Sequence, residues 1–393
     1  MRIIRDKMVI TVGKKYDIAA YIWPAYTGDE PRAYIFWNEK FGEWQSVKNA
    51  EKKFPGHNWP RRPLWGYVNE ADPAVMEMEI EQAVKHGVNV FAYDWYWFDK
   101  RPFLEQCLDN GFLKASNNKK MKFFIVWANH NADTFWDKRL SDETGPMIWD
   151  GKVDRSEFDK IVRRIIDNYF VRENYYQIDG CPVFNIHYLQ NLIRGLGGID
   201  QTVEALNYFR EQTKKAGFKD LHLQLNLIDK SEYYTGINLS GDINIAEMLK
   251  KIKIESATHY QWLACADMNR NYEEILPEVV KEWEDEYNNL PCSYYPNVSV
   301  GWDNNPRTHK LLPIICKNNT PENFEKALIA AKKYIDTHNL PAPLITINSW
   351  NEWTESSYLQ PDDLYGYGYL EAVKKVFCEG TGRLNEKNIG DRE

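Results

Sequence analysis

Along the chain, short apolar runs alternate with longer segments in which apolar residues recur every three or four positions. The runs fall at 16–23, 88–97, 121–129, 181–188, 221–228, 255–262, 297–303 and 343–350. Each is rich in β-branched or aromatic residues and reads as a strand. The segments between them read as helices. In 72–87, Asp72 is placed to cap, Pro73 occupies the first turn and Gly87 stops the helix. The stretch 154–170 keeps Phe158, Ile161, Val162 and Ile165 on one face, and 199–217 and 320–338 carry similar stripes. Weaker helical patterns cover 101–116, 241–251, 272–289 and 366–377. Eight strands alternating with eight helices predict an α/β chain folded as a single (β/α)8 TIM barrel over residues 1–393. A doubly wound sheet is the runner-up, but it rarely needs eight nearly even units. Residues 24–71 become an elaborated loop after the first strand, longer than a plain connection.

In a barrel the chemistry sits at the C-terminal ends of the strands. The first strand ends in Tyr21 and Trp23, and the second in Tyr93, Asp94 and Trp95. The third ends in Trp127, Asn129 and His130, the fourth in His187, and the sixth in Tyr260. Trp302 and Asp303 close the seventh. The eighth runs into Trp350, Asn351, Glu352, Glu355 and Tyr358. Aromatic rings beside amides, imidazoles and carboxylates suit a sugar, whose C–H face packs on a ring while its hydroxyls need polar partners. Any one such ring is more readily a packing residue; a mere core has no reason to gather polar groups at one end.

Composition sharpens this picture. The chain has 15 Trp, 24 Tyr and 17 Phe, an excess that suits a concave binding surface. A net charge of −8 argues against nucleic acid as the main partner. No apolar stretch is long enough for membrane insertion, and no signal peptide is visible at the N-terminus, which leaves the compartment open. The six cysteines show no CxxC pair and no zinc-type spacing, so buried free thiols are expected and no metal site is.

Two acids stand out. Glycoside hydrolysis needs a general acid and a second carboxylate, and Glu352 and Glu355 follow the eighth strand directly. Side chains alternate along a strand, so residues three apart face one pocket only if the chain bends between them. Thr354, Ser356 and Ser357 suit such a bend. Neighbouring Trp350 and Trp353 would lower the polarity and raise one glutamate's pKa, as a general acid requires.

The stretches FPGHNWPRRPLWGY (54–67), DPAVMEMEIEQAVKHGVNVFAYDWYWF (72–98), WANHN (127–131), GWDNNPR (301–307) and WNEWTESSYLQPDDLYGYGYLEA (350–372) resemble the WbsX-type family. Its members are often described as glycosyltransferases of polysaccharide biosynthesis and are related to the family 99 endo-α-mannosidases. The resemblance implies a (β/α)8 barrel acting on polysaccharide or oligosaccharide without a cofactor. It also implies retention of configuration: Glu352 would deprotonate the sugar 2-hydroxyl to give a 1,2-anhydro intermediate, and Glu355 would be the acid/base. The chain departs from the family pattern in places. His130 stands where a Glu is common, Asp94 where a Tyr is, Gln360 where a Glu is, and Thr354 and Ser356 where Gly often occurs. The leading expectation is a retaining glycoside hydrolase of a mannose-like polysaccharide. The alternatives are a glycosyltransferase and an inactive glycan-binding protein.

Overall fold

The computed structural model describes residues 16–143, 145–228 and 245–379. Eight parallel strands form the wall of a barrel. They are β1 (Asp17–Ile22), β2 (Val90–Phe98), β3 (Lys122–Trp127), β4 (Cys181–Ile186), β5 (His222–Leu227), β6 (Ser256–His259), β7 and β8 (Leu344–Asn348). The seventh is in two pieces: Ser293–Tyr294 pairs with β6, and Asn297–Ser299 pairs with β8. Pro296 breaks it, having no N–H for a ladder. Around the break, Tyr295 N donates to Ala257 O at 2.9 Å and Thr346 N to Pro296 O at 3.1 Å, so the interrupted strand joins both neighbours and closes the ring. Strands β1 to β6 pair in chain order, and β1 pairs with β8.

Among the described residues, a five-residue helix lies at Trp44–Lys48 in the long loop, and the longer helices are α1 (Pro73–Lys85), α2 (Arg155–Ile165), α3 (Leu189–Leu196), α4 (Ile199–Lys215), α5 (Ile245–Ile252), α6 (Tyr272–Asn289), α7 (Pro321–Thr337) and α8 (Gly368–Phe377). Asp72 caps α1 by accepting from Ala74 N at 2.9 Å, with Pro73 in its first turn. The start of the expected helix at 241–251 lies outside the described residues. The helix expected over 101–116 does not form as such. Strand β2 runs on to Phe98, turns through Asp99 and Lys100, both with positive φ, and returns as Arg101–Phe103. That is a tight two-residue hairpin. Only short turns, Cys107–Gly111 and Phe112–Lys114, follow it. The cysteines are free, but only Cys107 and Cys316 are buried, and Cys378 is exposed. Among the described residues, no helix is long and apolar enough to cross a membrane.

The barrel axis is polar. Asn185 Nδ2 donates to Gln224 Oε1 and to Asn226 Oδ1, both at 3.0 Å, and Tyr21 Oη donates to Asn226 Oδ1 at 3.1 Å. The apolar members of the same strands face the helices, which is where the continuous core lies. These bonds pair Asn185 Nδ2 with Gln224 and Asn226, while Asn185 Oδ1 is buried with no partner among the described residues.

Outside the barrel wall, near the start of the 350–372 segment, two glutamates are fully buried. Glu70 accepts from Asn351 Nδ2 and Gln360 Nε2, and Glu79 accepts from Trp350 Nε1 at 2.8 Å. Burial pushes Glu79 up from its ordinary 4.5 to about 7. The unfolded chain releases that proton first, so folding stability falls as pH rises from about 4.5 to about 7. Glu79→Gln keeps the acceptor for Trp350 and removes the ionisation. It is expected to raise the melting temperature at pH 8, by an amount worth roughly 3 kcal/mol at most, and to change it little at pH 4. Denaturation followed at both pH values checks this.

Candidate active site

After β8 the chain makes a compact bend. Asn351–Glu352 pairs antiparallel with Ser357–Tyr358, and Trp353–Glu355 forms a single 3-10 turn between them. Ser356 closes the bend with φ +55°, a left-handed position that favours glycine. The bend swings Glu352 and Glu355 into one cleft of about 490 Å³ at the barrel mouth. Trp23, Asp94, Tyr96, His130, Trp136, His187, Tyr260, Gln261 and Arg307 line the rest of it.

Arg307 holds the acids together. Its Nη1 donates to Glu355 Oε1 at 2.9 Å, its Nη2 to Glu352 Oε2 at 3.4 Å, and its Nε to Glu43 Oε1 at 2.8 Å. Glu43 also accepts from the Trp23 indole. It is delivered by Gly42, where φ is +66° and a Cβ would lie 1.8 Å from Ala25 O, so only glycine fits. Opposite, the Tyr260 hydroxyl lies 2.9 Å from Asp94 Oδ2 and 3.3 Å from Glu352 Oε1. Asp94 Oδ1 and Glu355 Oε2 are buried and have no hydrogen-bond partner among the described residues.

Burial raises the pKa of Glu352 well above the ordinary carboxyl range, the charge of Glu355 adds to the rise, and Arg307 offsets part of it. Glu355 is raised by burial and held back by Arg307. Burial also raises Asp94 well above its usual value, with the Tyr260 hydroxyl in opposition. The two histidines are kept neutral. Burial, aided by His130, drives His187 down to about 3, and burial lowers His130. Their tautomers follow from their partners. Asn226 Nδ2, at 2.9 Å, can only donate to His187 Nδ1, which leaves an N–H on His187 Nε2. His130 Nδ1 donates to Asn131 O at 2.9 Å, which leaves His130 Nε2 as an acceptor. The cleft therefore offers one imidazole donor and one imidazole acceptor.

Strand alternation separates the other nominated residues. On β2, Asp94 and Tyr96 face the cleft while Tyr93 and Trp95 face the helices. Tyr93 packs on Phe112, and the Trp95 indole donates to Glu105 at 2.7 Å. Trp127 lies outward against Phe158 and Phe184, and Trp350 against Phe91. These four are packing residues rather than sugar contacts. Asn129 is occupied by the backbone of Tyr188, and Asn351 by both backbone polar groups of Trp23 and by Glu70. Tyr358 stacks on Trp353 at 3.8 Å and donates to Asp362, away from the cleft. Tyr21 lies below it, 4.6 Å from the Tyr260 ring, and Trp302 and Asp303 line a neighbouring cavity. The residues that strand-end reasoning missed are Glu43, Tyr96, Trp136, Gln261 and Arg307. Alternation from Asp94 would have found Tyr96, and asking what offsets two buried carboxylates would have pointed to Arg307.

The solved structures that the chain resembles share its (β/α)8 barrel fold. A glycoside hydrolase-like protein superposes with a TM-score of 0.61 at 17% identity, covering 93% of this chain and 95% of the other. The GH99 endo-alpha-mannosidase of Bacteroides thetaiotaomicron, in complex with bis-tris propane, gives 0.60 at 13% identity, covering 92% and 96%. The chain belongs to the Glycosyltransferase WbsX family, whose model matches residues 18–373. A relative from Xanthomonas campestris pv. campestris (strain B100), named Uncharacterized protein WxcX, is 23% identical over 362 residues. That match covers 91% of this chain and 49% of the relative, so the chain spans about half the relative's length.

Proposed function

We propose that the cleft cleaves a glycosidic bond in a mannose-like polysaccharide with retention of configuration. The observation that carries this reading is the convergence of Glu352 and Glu355 on one guanidinium inside a ring-lined cleft. Glu352 takes the proton of the sugar 2-hydroxyl as its oxygen attacks C1 and the glycosidic bond breaks. Glu355 gives its proton to the leaving oxygen. Glu355 then takes a proton from water, which opens the 1,2-anhydro ring at C1, and Glu352 returns its proton to O2. The two acids thus share one proton, and Arg307 stabilises the charge that remains. His187 Nε2–H and His130 Nε2 supply a donor and an acceptor for ring hydroxyls, and His130 replaces a charged acceptor of the family pattern with a neutral one.

The family's name favours a second reading, transfer to a sugar hydroxyl instead of water. Incubation with a panel of bacterial, yeast and plant polysaccharides separates the two. New reducing ends and shorter chains support hydrolysis, while longer products without net reducing ends support transfer. The pH profile is a further check. The active pair carries one proton, so the rate is expected to rise with pH as the first proton leaves and fall as the second does. Both glutamates are raised, so the acid limb should lie above about 4, the value for an ordinary carboxyl. An acid limb at or below that value contradicts the roles given to them.

A further inference from the structure

Beside the cleft lies a second cavity of about 740 Å³, between the 54–61 part of the long loop and the segment after β7. Two aromatic residues line it: Phe54, 37% exposed with its ring stacked on His57 at 4.9 Å, and the half-buried Trp302. Its floor is polar and fully committed. His57 Nδ1 accepts from Lys53 N at 3.1 Å, so Nε2–H donates to Asp303 Oδ2 at 2.7 Å. Asp303 Oδ1 accepts from the backbone and side chain of Asn305. Arg61, in the wall, lies 3.8 Å from Asp362. His57, Asp303 and Arg61 are thus paired with charged or polar partners, which suits neutral hydroxyls on the floor, and the exposed Lys317 adds a cationic donor at the lining. Asn58 and Asn318 are exposed in the lining; Asn318 Nδ2 donates to Glu273 at 2.7 Å, which leaves its Oδ1 and the Asn58 amide for a ligand. Two rings over a rigid polar floor are what a pyranose requires.

The cavity shares its wall with the cleft. Asp303 N donates to Glu355 O at 2.8 Å, and the Ser356 hydroxyl donates to Asp303 O at 3.0 Å while accepting from the Trp59 indole at 2.7 Å. Glu355 lines the cleft and Ser356, the next residue, lines the cavity. Adjacent Cα atoms are about 3.8 Å apart, so one turn of backbone divides the two spaces.

We infer that this cavity is a distal sugar subsite, taking a pyranose unit of the same chain whose linkage is cut beside Glu355. The inference rests on the glycosidase reading and deepens it, since a substrate that extends beyond the scissile unit into a second pocket is a polymer. The test is calorimetric titration of the Glu355→Gln protein with methyl α-mannoside and with an α-linked mannotetraose. The tetramer is expected to bind at least about tenfold more tightly. Adding Trp302→Ala, or Phe54→Ala whose ring is exposed and outside the core, should remove that advantage and leave the monosaccharide affinity unchanged. Melting curves confirm that each variant is folded, and Phe54→Ala keeps the test open if Trp302→Ala does not fold. Equal binding of the two ligands, no binding of either, or an advantage that survives both substitutions overturns the subsite. Binding is read on a protein that does not turn over. Failure of the wild type to cleave any glycan would therefore count against the glycosidase reading alone.

Discussion

Glu355→Gln is expected to lower kcat on polysaccharide by about 10²- to 10⁴-fold, the usual worth of a positioned acid/base, while glycan binding persists. Glu352→Gln should cost a similar factor. Because the two residues share one proton in one reaction, the double variant should cost little more than either single one. Their roles separate with the leaving group. A glycosyl fluoride or nitrophenyl glycoside departs without a proton, so Glu355→Gln should recover much of its first-step rate on such substrates. Glu352→Gln should not, because the 2-hydroxyl still has to be deprotonated. Steady-state and burst kinetics on the two substrate types check this. Recovery by Glu352→Gln instead would exchange the assignments, and near wild-type activity in either variant on polysaccharide would remove that residue from the chemistry.

The second large effect is on stability. Arg307 is the cation that meets Glu43, Glu352 and Glu355, and all four side chains are at least largely buried. Removing one partner of a buried ionic cluster costs about 3–5 kcal/mol, because the remaining charges have no compensation. Arg307→Met is expected to lose about that much at pH 8. The loss should be smaller at pH 5. Arg307 lowers the pKa of both Glu352 and Glu355, so without it they rise further and take up protons more readily in acid. The variant therefore falls behind the wild type progressively as pH increases. Urea midpoints at the two pH values measure this, and an equal loss at both would mean that Arg307 acts through packing rather than charge.

Much of the fold was legible because it rests on local patterns. The strand runs and the capped helices follow from periods of two and 3.6 and from residues such as Asp72 and Pro73. What failed locally was the hairpin after β2. The helical pattern over 101–116 competes there with a strand that continues to Phe98 and a turn whose two positive φ values come from Asp99 and Lys100, neither a glycine. The site was legible in part. The need for a bend between Glu352 and Glu355 followed from their spacing, and the bend is present. Nominating whole strand ends brought in outward rings such as Trp95 and Trp127 along with inward Asp94, because the apolar run gives no phase when both faces are buried. Arg307 and Glu43 were beyond reach for another reason. They meet across 264 positions of sequence, in loops whose course no periodicity describes.

In the proposed mechanism the sugar's own 2-hydroxyl is the nucleophile, deprotonated by Glu352 and assisted by Glu355. The most direct measurement is proton NMR of the first products from an α-mannan oligosaccharide, run beside the same oligosaccharide methylated at O2 of the unit cleaved. The α-anomer is expected to appear first and to mutarotate later, and the O2-methylated substrate is expected to bind without being cut. Initial release of the β-anomer, or cleavage of the methylated substrate, would contradict it.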